Sequence, residues 1–228
     1  MLTHTTNYSG TPSLGRNVRS ALPATCHSLT DSFEMMGAQM SFAPNAEIYG
    51  ENEPAEYLYK LVSGTVRTSK ILNDGRRQIG EFYLPGDLFG YEVGSKHSFS
   101  AEAINDVKII VIKRSAIETL AARDHDVARQ LWTMTGRELQ RMQDHILLLI
   151  KSAQERVAGF LLEMAERNKT VNELELPMSR QDIADYLGLT IETVSRTLSI
   201  LEESAVIAMP SSRHIVLRNR AKLLRLNV

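Results

Sequence analysis

A single cysteine, Cys26, stands in 228 residues. One thiol cannot close an intramolecular disulfide, and alone it holds neither zinc nor an iron–sulfur cluster. Such sparing use fits a reducing compartment, and the cytoplasm is the expected location. Also missing is any apolar run near the roughly 20 residues of a membrane span. The N-terminus lacks the charged-then-apolar order of a signal peptide, so no membrane partner is expected. The net charge is only −1, which excludes a general polycation. No nucleophile–base pair, metal-ligand cluster or phosphate loop is recognisable, so no enzymatic activity is expected. Asp124-His125-Asp126 looks reactive on paper, but reads as a polar helix start, where the dipole favours carboxylates.

What is present changes character along the chain. Residues 1–28 are rich in Ser, Thr, Asn and Pro, contain no acid and few large apolar residues, and read as a disordered tail. Residues 29–37 can form a short helix ending at Gly37. Over 38–113, β-leaning segments recur at 47–49, 57–62, 65–72, 78–83 and 107–112, separated by glycines, and Asn73-Asp74-Gly75 is a strong hairpin signal. Many short strands at regular spacing predict a compact antiparallel barrel or jelly roll.

Residues 115–150 turn helical. Ala128, Trp132, Thr135, Leu139, Met142, Ile146 and Leu149 recur in steps of four and three, a heptad seam in which Thr135 is the weak point. Such a stripe could pack on its own β domain. A long seam between two compact domains favours a two-helix dimer interface, with Trp132, Leu139, Met142, Ile146 and Leu149 as its contacts. Ser152 can cap a further helix over 153–168, with Val157, Phe160, Leu161 and Met164 facing a core.

Residues 178–203, MSRQDIADYLGLTIETVSRTLSILEE, carry the most specific signal. Ser179 can cap a first helix whose Ile183, Ala184 and Leu187 form an apolar stripe. Gly188 supplies the freedom a sharp inter-helix turn needs. Thr190 can cap a second helix with Val194, Leu198 and Leu201 on its buried face. Its opposite face carries Glu192, Ser195, Arg196 and Ser199, a set that can enter a DNA major groove. Segments 206–209 and 214–217 flank a polar turn and read as a hairpin wing, followed by a short helix over 219–226. From Pro177 onward seven Arg/Lys face five acids, a slight excess concentrated at the second helix and in the last residues, fit for phosphate contacts.

These readings divide the chain into a tail (1–28), a β-roll (29–114), a dimerisation helix (115–150) and a winged helix-turn-helix (151–228), an α+β architecture. Together with Tyr83-Leu84-Pro85-Gly86-Asp87 and Glu155-Arg156-Val157-Ala158-Gly159-Phe160-Leu161-Leu162, the arrangement resembles the Crp/Fnr superfamily of bacterial transcription regulators over about residues 40–226. SRQDIADYLGLTIETVSRTLSILE followed by PSSRHIVLRN is most similar to its FixK branch. The resemblance implies a double-stranded β-helix of the cyclic-nucleotide-binding type at the N-terminus. It implies a homodimer on palindromic TTGA-type sites, contact with RNA polymerase, and control, as an activator, of microoxic respiration or nitrogen-fixation genes. It places Glu192, Ser195 and Arg196 at the E-x-x-S-R positions that read bases. Arg196 suits guanine O6 and N7, Glu192 a cytosine amine, Ser195 either partner, and Ile191 a thymine methyl. Ser179, Thr193 and Arg213 are placed for backbone phosphates.

The sensor half departs from the ligand-binding members. Nucleotide-binding relatives use a Gly-Glu pair for the ribose and an Arg-Ser/Thr-Ala segment for the phosphate. Here Gly90 precedes Tyr91, with Glu92 displaced by one, and Phe99-Ser100-Ala101 puts Phe99 where the arginine belongs. An uncompensated phosphate in an apolar pocket is costly, though Arg76, Arg77 or Lys96 could stand in. Four-cysteine oxygen sensing is excluded, and His97, His125 and His145 show no spacing that supports haem. The expectation is a dimer active without cofactor or effector.

Overall fold

The structure, a computed structural model, describes residues 29–227. The predicted tail, Cys26 with it, lies outside the described residues. After a first helix, α1 (Leu29–Met36), eight strands follow: β1 (Ala38–Phe42), β2 (Glu47–Tyr49), β3 (Tyr57–Ser63), β4 (Val66–Ile71), β5 (Arg77–Tyr83), β6 (Leu88–Phe89), β7 (Ser100–Ala103) and β8 (Val107–Lys113). They form two four-stranded antiparallel sheets, ordered β1-β8-β3-β6 and β2-β7-β4-β5, the expected jelly roll. Inward residues of both sheets, Leu61, Val66, Ala101, Ala103, Val107 and Ile109, pack with Tyr49, Tyr59 and Phe89 into one core. The Asn73-Asp74-Gly75 turn joins β4 to β5, with Gly75 at φ +84° and its N–H donating to Leu72 O at 2.9 Å.

Strands β1, β6 and β7 fall outside the segments the sequence pattern marks. β1 is an exposed edge, β6 has two residues, and Ser-Ala-Glu-Ala in β7 has no intrinsic strand preference. Pairing with neighbours, rather than propensity, makes them strands.

The stretch expected as one helix over 115–150 is two, α2 (Arg114–Ala121) and α3 (His125–Leu149). Asp124 makes the break: it is extended, and its carboxylate accepts from the N–H groups of Asp126 and Val127, capping the longer helix. The 25 residues of α3 span about 37 Å at 1.5 Å per residue. Ser152 and Glu155 form a capping box that starts α4 (Ala153–Arg167). Then come β9 (Glu173–Glu175), which no sequence pattern marks, α5 (Arg180–Leu187), α6 (Ile191–Glu203), β10 (Ile207–Ala208), β11 (His214–Leu217) and α7 (Arg220–Leu226). The short sheet runs β10-β11-β9.

The core of this C-terminal half gathers Phe160, Leu161, Met164, Ile183, Leu187, Val194, Leu198 and Leu201, and it also takes in Ile79 and Phe82 from β5. The Phe82 ring centroid lies 5.1 Å from that of Tyr186 and 6.2 Å from that of Phe160. A barrel strand therefore contributes to the core of the helical half.

Candidate nucleic-acid interface

The two helices α5 and α6 are positioned by their termini. Ser179 and Asp182 form a capping box at the start of α5. Gly188 closes that helix in the left-handed region at φ 61°, ψ 39°, where a side chain would be strained. Arg156 of α4 donates to Leu187 O at 2.9 Å, placing a cation on the carbonyl end of α5. Thr190 Oγ1 accepts from Thr193 N at 3.2 Å and starts α6. Val194, Thr197, Leu198 and Leu201 are buried, and this anchoring leaves the opposite side of α6 in solvent.

That solvent side carries Glu192, Ser195, Arg196 and Ser199, at i, i+3, i+4 and i+7, hence on one face. All four are exposed, and among the described residues none of their side chains has a hydrogen bond or ion pair within the chain. Ile191 stands partly exposed at the start of the same helix. Unpaired acid, hydroxyl and guanidinium on one rigid face supply acceptor, mixed and bidentate donor chemistry together.

The residues expected at phosphates fare differently. Arg213 is exposed in the turn between β10 and β11. Thr193 is half-buried, with its hydroxyl 3.0 Å from Thr190 Oγ1. Ser179 departs from expectation: its hydroxyl donates to Asp182 Oδ2 at 2.7 Å, and its N–H donates to the same oxygen at 2.9 Å. Its one hydroxyl proton is engaged inside the cap, so no donor remains there for a phosphate.

Arg180, which the sequence pattern did not single out, is the cation next to Ser179 on the first turn of α5. It lies half-buried on α5, with Nη2 3.4 Å from Met209 Sδ at the wing and Nη1 buried without a partner. Burial lowers its pKa, and no carboxylate opposes the effect. A cation in the first turn of a helix runs against the dipole, which was the available signal.

Along α3, Trp132 (83% exposed), Leu139, Met142 and Ile146 form an uncovered apolar stripe, continued by Ile150 (80%). Leu149, expected in this stripe, is half-buried beside the Gly188 turn. A 3.6-residue period turns it off the stripe that a strict heptad assigns it to.

In the barrel, Gly90 lies against the Tyr59 ring, where an added Cβ would be 2.7 Å from it. Glu92 accepts from Ser98 N at 3.0 Å. The candidate phosphate holders are elsewhere: Arg76 pairs with Asp74 at the hairpin tip, Arg77 pairs with Asp182 and Asp185 of α5, and Lys96 is exposed. The three histidines do not converge. His97 stacks on Tyr49 at 3.6 Å and His145 on Tyr186 at 4.1 Å, while His125 is exposed at the start of α3. Burial lowers the pKa of His97, with Glu92 opposing, and burial lowers that of His145. Among the described residues no cluster of three or more His, Cys, Asp or Glu could hold a metal, and no helix is long and apolar enough to cross a membrane.

The sequence matches the Crp-like helix-turn-helix domain over residues 155–226 and the cyclic nucleotide-binding domain over residues 39–124. It is 52% identical over 198 residues to the nitrogen fixation regulation protein FixK of Azorhizobium caulinodans, covering 84% of this chain and 80% of that one. The chain belongs to the Crp/Fnr family, in its FixK group. FixK of Rhizobium meliloti is 42% identical, with 77% of this chain and 80% of that one covered. The solved structure of FixK2 from Bradyrhizobium japonicum superposes with a TM-score of 0.81 at 52% identity, covering 85% of this chain and 98% of that one. This FixK-type chain is accordingly a DNA-binding transcription regulator, with a cyclic-nucleotide-binding-type β domain and a winged helix-turn-helix.

Proposed function

We propose that the chain acts as a homodimer that reads palindromic TTGA-type promoter sites through α6. The observation that carries this is the face of Glu192, Ser195 and Arg196, unpaired in solvent on a helix whose other side is locked in the core. Arg196 reads guanine, Glu192 a cytosine amine, Ser195 either partner, and Ile191 a thymine methyl. Thr193, Arg213 and Arg180 hold phosphates, and Ser179 serves by capping α5. The exposed stripe of Trp132, Leu139, Met142 and Ile146 on α3, with Ile150 just past its end, pairs two copies, and Leu149 supports it from the edge. Two-fold symmetry then sets the reading helices about one DNA turn, ~34 Å, apart.

By likeness to relatives named for nitrogen fixation regulation, the targets are genes of nitrogen fixation or microoxic respiration, activated through contact with RNA polymerase in the cytoplasm. The regulator works without a cofactor and is not an enzyme. The engaged Glu92, Arg76 and Arg77 support that reading of the β domain. The domains act as the sequence divides them: 29–114, 115–150 and 151–228.

The test is a mobility shift with metal-free, effector-free protein on a TTGA-type palindrome and on a scrambled control at fixed salt. Arg196→Ala is expected to lose about 1–3 kcal/mol of discrimination at the base it reads. Equal affinity of Arg196→Ala and parent for the palindrome would overturn the assignment.

A further inference from the structure

The start of α5 is gripped by the barrel. Asp182, whose side chain is 4% exposed, accepts from Arg67 Nη1 at 2.9 Å and Arg77 Nη2 at 2.7 Å on Oδ1, while Ser179 occupies Oδ2. Arg77 Nε continues to Asp185 at 2.7 Å, and Arg67 binds Glu102 of β7 at 2.8 Å. The result is an unbroken line, Glu102–Arg67–Asp182–Arg77–Asp185, from the outer face of one barrel sheet into the first helix of the helix-turn-helix. Burial pushes the Asp182 carboxyl up, but the Ser179 hydrogen bonds and the charges of Arg67 and Arg77 outweigh it and hold the group below the usual carboxylate range. A second anchor lies on α4, where Arg167 donates to Glu81 at 2.9 Å and to Asp87 at 2.8 Å. Ile79 and Phe82 fill the space between the anchors.

The covalent link between the halves is thin by comparison. α3 ends at Leu149 and α4 begins at Ala153, with Ser152 extended between them. Packing of His145 on Tyr186 and of Leu148 in the helical core also steadies this joint. Where the contacts across the halves are loosened, its three residues allow swivelling, which changes the distance between the two reading helices of a dimer. A palindrome is bound tightly only by the fraction of dimers that already has the right spacing.

We infer that the Arg67–Asp182–Arg77–Asp185 line is a built-in positioning device, which holds the winged helix in its reading orientation without an effector. This rests on the DNA-reading role of α6 proposed above. The arginines also neutralise the two carboxylates of α5, Asp182 and Asp185. Arg67 and Arg77 are positioning residues: they act on DNA through the placement of α5.

Arg77→Gln is the variant of choice, because Arg77 sits at the rim of the contact and its loss leaves both cores intact. The full-length dimer is tested on a palindrome and on DNA bearing a single half-site, and small-angle scattering of the free protein reports the docking of the two halves. The expected result is a loss of about tenfold in palindrome affinity, unchanged half-site affinity, an expanded scattering profile, and retention of most of the palindrome affinity in Arg77→Lys. Arg77→Gln with parental palindrome affinity and profile overturns the inference. Tighter binding than the parent also overturns it, since the contact would then be inhibitory. Scattering reads the dock with no DNA present, so a parent that shows no palindrome preference refutes the reading of α6 separately.

Discussion

Phe82 belongs to a barrel strand, yet its ring is fully buried against Phe160 and Tyr186 of the helical half. Phe82→Ala removes a ring from the seam between the two halves. Truncation of a buried phenylalanine costs about 3–5 kcal/mol, of which about 0.5–1.5 kcal/mol per ring pair is aromatic contact beyond area burial. For a chain of 228 residues, each kcal/mol shifts the melting temperature by roughly 2–4 °C, giving a total drop of roughly 6–20 °C. The loss falls on the contact between the halves, because the strand's ladder to β4 is made by its backbone and survives. Calorimetry of the full-length variant should therefore show one cooperative transition splitting into two, with the helical half melting first. Phe89→Ala, which removes a ring buried wholly within the barrel, should lower stability by a comparable amount through the barrel itself. A drop of less than about 2 °C for Phe82→Ala, with a single sharp transition, would refute the view that β5 is shared between two cores.

Other consequences follow from the same contacts. Arg180→Gln should weaken binding to every DNA sequence alike and reduce the slope of log affinity against log salt by about one, measured by titration at several ionic strengths. Ile146→Glu places a charge within the exposed α3 stripe, and sedimentation velocity should report monomers that have lost palindrome preference. Glu163, raised from its ordinary 4.5 to about 7 by burial and by the Glu81 charge against the pull of Arg167, holds a proton more tightly folded than unfolded. Its contribution is full below pH 4.5 and is lost as pH rises through about 7. Urea unfolding should show that stability falls across that window, and Glu163→Gln should flatten the slope.

Local order was legible in the chain because its causes are local. The caps at Ser152 and Thr190, the left-handed turn at Gly188 and the Asn73-Asp74-Gly75 hairpin each need only residues a few positions apart. The same holds for the two faces of α6, since a 3.6-residue period assigns Val194, Leu198 and Leu201 to one side and Glu192, Ser195 and Arg196 to the other. That is why the candidate reading face could be named from sequence. What only the tertiary structure decided depends on groups far apart along the chain. β7 is a strand because β2 and β4 flank it. Ser179 has no free proton because Asp182 takes it, and Asp182 is itself fixed by arginines 105 and 115 residues away. Leu149 sits at the edge of the stripe by its period, but that it is half-buried follows from the α5–α6 turn packing beside it, which leaves Ile150 exposed. Periodicity and capping act over a few residues, whereas pairing of charges and sharing of a core between domains arise only once the chain has folded.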